Sequence, residues 1–269
     1  MHNETNRWVT YGDTSSKHHF RSRKRRTERL NTKLIMNKFL EQYLFDKYPT
    51  LYRRHNLIHD ESNSLLRWGL SCDNGWFHLI DVMSELIEAH DLRAEIVEVK
   101  QKMGGLRVYL SGPEKSHYVN GIRVMAESLS YRTCEICGNL GTLHKRIGVK
   151  TLCERHGLIQ GMMPWRSPHG VDQNINNRTG DILELPDKYW IDYGWAPLLE
   201  ALFESLADHG PRLYQQGQTI HFERIESTEG DLLIDYTGDH KWVMGQIDMV
   251  MRYAQRVDET SGDAKPVEQ

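Results

Sequence analysis

Apolar residues along this chain fall into two matching runs separated by about 120 positions, which is the signature of an internal repeat. In the first, Trp68 precedes Gly75-Trp76 and a helix-period stretch through His90, with Leu79, Val82, Met83 and Leu86 on one face. In the second, Trp190 precedes Gly194-Trp195 and a similar stretch through His209, with Leu198, Ala201, Leu202 and Ser205 in the matching places. Two alternating segments follow each helix and predict a β-hairpin. They are Ala94 to Lys100 and Leu106 to Gly112 around Gly104-Gly105, then Gln218 to Ile225 and Leu232 to Gly238 around Glu229-Gly230-Asp231. A last helix closes each run, Ile122 to Leu129 and Val243 to Val257.

The predicted fold class is therefore α+β, two α-β-β-α modules over residues 36–130 and 186–258. A hairpin with two helices is marginal alone, so the modules are expected to pair, with a shared sheet as one way to do so. Trp68, Trp76, Trp190 and Trp195 could serve as exposed binding aromatics, but their repetition at equivalent places argues for core packing, above all for Trp76 and Trp195 at the helix starts. Before the first module, Met36 opens a helical pattern with Phe39, Leu40, Tyr43 and Leu44 on one face, closed by Tyr48-Pro49.

Between the modules lies the chemistry. Cys134-Glu-Ile-Cys137 and Cys153-Glu-Arg-His156 are two chelating pairs with two-residue spacers, separated by fifteen residues. Three thiolates and one imidazole close a tetrahedral Zn²⁺ site with no open position for water, so the expected role is structural. The pattern predicts a knuckle, a short hairpin and a ligand-bearing helical turn over residues 131–161, like a zinc ribbon or treble clef. His144 is a substitute ligand without paired spacing, and Cys72 reads as a packed thiol.

A resemblance attaches to these same residues. Gly75-Trp-Phe with its apolar helix, Val99 to Gly112 around Gly104-Gly105, Ala126-Glu-Ser, the Cys pair and Thr151-Leu-Cys-Glu-Arg-His156 resemble a widespread, uncharacterised family of small proteins from bacteria and their phages. The likeness spans roughly residues 36 to 157. It implies a zinc-containing domain in a phage or mobile-element setting, and implies no catalytic residues. The chain departs from that pattern by a basic arm and by its second, cysteine-free module.

Charge adds a gradient. The formal net charge is −3, yet residues 181–269 carry 18 Asp and Glu against 7 Lys and Arg, while residues 1–60 carry 13 Lys and Arg against 6 acids. Residues 1–35 read as a flexible basic arm, 162–185 as a linker and 259–269 as a disordered tail. An apolar content of 39% supports real cores. The absence of a membrane-length apolar run or a secretory stretch points to the cytoplasm.

Three function classes follow. The first is a non-enzymatic protein-binding factor, such as a phage modulator of a host protein, using the acidic half as its contact surface. The second is a nucleic-acid binder gripping phosphate through Arg21, Arg23, Lys24, Arg25 and Arg26 of the arm and Lys145 and Arg146 of the zinc hairpin. The weakest is an enzyme with a site between the lobes. Asp73, Glu85, Glu88 and His90, or Asp192, Glu204, Asp208 and His209, could be drawn into acid/base chemistry, but helix-surface and dipole roles explain them more simply. Homo-oligomers are compatible with the repeat.

Overall fold

The computed structural model describes residues 36–56, 64–112, 116–165, 183–187, 189–213, 219–228 and 230–267. Arg21 to Arg26 lie outside them, as do the side chain of His209 and most of the expected linker. Helix α1 spans Lys38–Lys47, capped by the Asn37 side chain, which accepts from the Phe39 amide. Asn37 also donates its own amide to Asn74 Oδ1 at 2.8 Å, which fixes the angle of entry. The buried face is Glu41, Leu44 and Phe45, whereas Phe39 is 81% exposed and Tyr43 half-exposed. The expected face is thus rotated, and Glu41 is the reason: its carboxylate accepts from the Leu70 amide at 2.7 Å and from Lys38. A paired carboxylate turned inward carries the helix with it, which an apolar count does not register.

Helix α2, Phe77–His90, is buried over most of its circumference. The antiparallel strands β1, Glu95–Lys102, and β2, Gly105–Ser111, turn at Met103 and Gly104, both at positive φ (53° and 83°) as a tight hairpin with right-handed twist requires. Helix α3, His117–Ser130, starts at Ser116, whose hydroxyl accepts from the Val119 amide. Its Ser130 hydroxyl accepts from the Leu106 amide at 2.8 Å, satisfying the outer edge of β2.

A small unit follows, with β3 (Thr142–Lys145), β4 (Val149–Leu152), α4 (Glu154–Ile159) and β5 (Met163–Pro164) in the sheet order β4-β3-β5. The remaining elements are β6 (Leu183–Glu184), α5 (Ala196–Leu213), β7 (Ile220–Thr228), β8 (Asp231–Thr237) and α6 (Lys241–Ala254). Strand β6 pairs parallel with β7, and β7 antiparallel with β8. The ends of the expected linker are therefore in strands, at Met163–Pro164 and Leu183–Glu184. The expected disordered tail is folded as far as Val267: Asp258 donates to the Asp263 carbonyl, Val257 bridges Ala264, and Lys265 donates to the Arg256 carbonyl. Short polar turns held by their own backbone bonds look like tails in sequence.

Among the described residues no sheet is shared between the halves. The β1–β2 and β6–β7–β8 sheets pack on one core that runs from Met36 to Val257 and includes the α3–α6 contact, while the β4–β3–β5 sheet stands on a small cluster of its own. Gly121 and Gly245 make that approach possible. A Cβ on Gly121 would overlap the Trp242 carbonyl, and one on Gly245 would overlap the Tyr118 carbonyl. Trp76 and Trp195 are both fully buried, the first donating Nε1 to the Thr133 carbonyl at 2.9 Å and the second to the Val257 carbonyl at 3.3 Å. Trp68 and Trp190 are exposed.

Candidate metal centre

The first chelating pair sits on a turn whose shape is set by backbone bonds. The Cys134 amide donates to the Asn139 carbonyl at 2.7 Å, and the Gly138 amide to the Cys134 carbonyl at 2.9 Å. Gly138 closes the turn at φ 84°, where a side chain would be strained. The turn is pressed onto the start of α2. Gly75 donates to the Glu135 carbonyl at 2.8 Å, and a Cβ on Gly75 would overlap the Cys134 carbonyl. Trp76, through Thr133, pins the residue just before the first ligand. Gly75-Trp76, expected as a helix start, is equally the platform for the metal turn.

The second pair opens α4, where Cys153 is the N-cap and His156 lies in the first turn. The Gly157 amide donates to the Cys153 carbonyl, closing that turn. The β3–β4 hairpin that carries Cys153 to its place is tied to the β1–β2 turn. Thr151 Oγ1 donates to the Gly104 carbonyl at 2.7 Å, and Gln101 Nε2 to the Val149 carbonyl at 2.8 Å. The glycine turn thus does more than reverse a hairpin: a Cβ on Gly104 would stand 2.5 Å from Leu143 Cδ2.

These two turns bring Cys134, Cys137, Cys153 and His156 together, with all four donor atoms within 4.8 Å of one another. Cys137 Sγ is 3.9 Å from Cys153 Sγ, and His156 Nδ1 is 3.2 Å from Cys153 Sγ and 3.5 Å from Cys134 Sγ. A tetrahedral ion with ~2.3 Å bonds to sulfur and ~2.1 Å to nitrogen needs edges of about 3.8 Å between sulfurs and about 3.6 Å between sulfur and nitrogen. The donor set fits a four-coordinate metal ion. Electrostatics agree. Burial pushes the Cys137 thiol up to about 12, against the pull of the Asn139 amide, and the sulfurs of Cys134 and Cys153 add to the rise. Thiols this close ionise together only around a cation, which supplies the missing charge and displaces their protons.

The hydrophobic support under the site is thin. Cys134, Leu152 and Met162 are its only buried apolar residues among those described, packed by Ile136 and the two other cysteines. Glu135, between the first two ligands, is fully buried, and burial raises its carboxyl to about 7 against the pull of Lys150 and of the Asp73 backbone. Nothing in an i to i+3 cysteine pattern signals that an intervening acid faces inward, so sequence reasoning missed it.

His144 is not a ligand. Its ring is buried against Gly157 with Nδ1 2.9 Å from the Thr142 carbonyl. Cys72 is buried in the main core, where desolvation holds its thiol well above the ordinary range. Of the basic residues assigned to phosphate, Lys145 Nζ sits 5.0 Å over the Trp165 ring and Arg146 donates to the Gln160 carbonyl. The acid sets are in structural use. Asp73 accepts from the Asn74 amide, Glu85 binds Arg252, Glu204 binds Arg132, and Glu88 accepts from the Thr50 and Leu51 amides. His90 lies against Tyr118, tilted, with ring centroids 4.2 Å apart. No helix among the described residues is long and apolar enough to cross a membrane. Comparison of the chain with protein-family models, curated proteins and solved structures finds no match.

Proposed function

We propose that this protein is a non-enzymatic, zinc-stabilised binding factor for another protein, built from two copies of one α-β-β-α module of which only the first keeps metal. Zn²⁺ is the ion that three thiolates and one imidazole in closed tetrahedral geometry favour. The observation that carries the binding role is the segment Leu185 to Tyr193 at the head of the second half. Trp190 is 82% and Tyr193 80% exposed, with Leu185 and Tyr189 partly so. Aromatic side chains left in water at this density are a recurrent mark of interface anchors. They stand in the acidic half, where Asp187, Asp192 and Glu226 flank them in sequence or by strand pairing. A partner with a basic, apolar-lined groove fits that surface, and the acidity would steer its approach. The family resemblance implies a phage or mobile-element setting, and the acidity of this half suits a basic, nucleic-acid-handling host protein as the target.

Native mass spectrometry of the chain isolated from its host tests this reading. One zinc per chain is expected, with a basic protein carried along by the wild-type chain and released by W190A/Y193A. Zinc with an oligonucleotide that leaves at high salt would move the reading to nucleic-acid binding through Lys145, Arg146 and the arm. A complex indifferent to W190A/Y193A would remove the aromatic segment from the interface.

A further inference from the structure

The carboxyl-terminal turn, Asp258 to Lys265, repeats the metal turn bond for bond. Asp258 donates to the Asp263 carbonyl at 2.9 Å as Cys134 does to Asn139 at 2.7 Å, and Gly262 donates to the Asp258 carbonyl at 2.9 Å as Gly138 does to Cys134 at 2.9 Å. Lys265 donates to the Arg256 carbonyl at 2.9 Å as Gly141 does to Arg132 at 2.8 Å. The bridges Val257 with Ala264 and Thr133 with Leu140 correspond, and the closing glycines are both at positive φ, 73° at Gly262 and 84° at Gly138. The platform corresponds as well. Gly194 donates to the Glu259 carbonyl at 2.8 Å as Gly75 does to Glu135, and a Cβ on Gly194 would overlap the Asp258 carbonyl.

What differs is the chemistry at the two ligand places. Asp258 stands where Cys134 stands, and Ser261 where Cys137 stands. Asp258 Oδ1 accepts from the Ser261 amide at 2.8 Å, the Ser261 hydroxyl at 2.9 Å and the Thr260 amide at 3.1 Å. One carboxylate thus ties the turn across the span that a metal would bridge between two sulfurs. The two turns also face each other reciprocally. A Cβ on Gly138 would lie 2.9 Å from the Ala264 methyl, one on Gly262 would overlap Leu140, and the Ala264 amide donates to Asn139 Oδ1 at 3.3 Å.

We propose that Asp258 to Lys265 is a second knuckle of metal-binding form, latent for thiophilic divalent cations, in which the Asp258–Ser261 hydrogen bonds do the work of the metal. The inference rests on the two-copy reading and adds to it a site. Its backbone amides are already aimed as a dithiolate requires, because pre-organisation of the loop is a large part of what a short chelating turn must supply. Exchanging the two side chains for thiols restores ligands without rebuilding the turn.

The test is the full-length chain carrying D258C/S261C, titrated with Cd²⁺ under reducing conditions beside the wild type and a T260C/D263C control of equal spacing. Two cadmium ions per chain are expected for D258C/S261C against one for the other two, with a matching gain in thiolate-to-metal absorbance. One ion in a D258C/S261C chain of wild-type circular dichroism overturns the site. Should that variant not fold, amide hydrogen exchange on the wild-type chain decides. Slow exchange at Asp258, Gly262 and Lys265, as at Cys134, Gly138 and Gly141, supports the knuckle. Fast exchange at the first three overturns it and takes the two-copy reading with it, which separates that failure from loss of the site alone.

Discussion

Gly75-Trp76 and Gly194-Trp195 are two corners built alike and loaded differently. Each opens a buried helix, each tryptophan donates to a backbone carbonyl just before a tight turn, and each glycine admits that turn at a distance no side chain tolerates. Against the first corner rests a turn that leads away into a small unit with only three buried apolar residues of its own among those described. The turn against the second corner follows directly on Val257, which belongs to the main core. The difference teaches when a fold needs metal. A unit too small to bury a core cannot offset the entropy of ordering its chain, and a cross-link must do it, whereas a short turn on an existing core needs only hydrogen bonds.

The sharpest way to break this comparison is to remove each tie. In C134S, or on treatment with a strong chelator, residues 131–165 are expected to lose their fold, because structural zinc in isolated fingers supplies on the order of 10 kcal/mol of folding free energy. Metal content should fall to zero and amide protection in β3, β4 and α4 should vanish, while β7 and β8 stay protected. In D258A the matching loss is that of one exposed capping side chain, far smaller than the loss of the metal. Chemical denaturation of the two variants measures both, and equal losses would refute the distinction.

The candidate metal site was legible from sequence because chelation demands fixed spacing, and the Cys-Cys and Cys-His pairs advertise it without help from the fold. The four core helices and both hairpins were legible through period and turn chemistry, down to Gly104 and Gly230. The contact between the halves was not. Gly121 and Gly245 sit in the middle of helices, where glycine is merely a poor helix former until a second helix is seen crossing it. The inward face of α1 escaped for a related reason, since Glu41 is buried by a backbone amide far away in sequence. The carboxyl-terminal turn escaped because hydrogen-bonded Asp and Ser lack the rigid spacing rule that metal imposes.

The helix crossing yields the next effect in size. G121A and G245A each push a methyl group into a carbonyl of the opposite helix, and each is expected to cost about 2 to 3 kcal/mol by overpacking. Because the two glycines serve one approach, a displacement forced by the first relieves the second. The double variant should lose clearly less than the sum, and urea unfolding of the four chains forms the cycle that measures it. Simple additivity would mean that the two sites do not share one contact, and would weaken the pairing of the halves through α3 and α6.

The smallest effect concerns the seam that holds the folded carboxyl end to α2. His78 is buried, its Nε2 lies 2.8 Å from the Lys265 carbonyl, and its Nδ1 has no hydrogen-bond partner among the described residues. Burial lowers its pKa; Arg256 and Lys47 lower it further, while the Lys265 carbonyl and Asp81 work the other way. A folded pKa below the unfolded value of about 6.5 means that the unfolded chain binds the proton more readily. Stability from this group is therefore complete above about pH 6.5 and is lost as pH falls below it, with a slope of at most about 1.4 kcal/mol per pH unit. In H78Q the amide can still donate to Lys265 but does not titrate in this window. Its stability should fall less between pH 7 and pH 5.5 than that of the wild type, read from denaturation midpoints at each pH. An unchanged slope would show that protonation of His78 is not what loosens this seam, and that another ionisable group sets the acid limit of the second half.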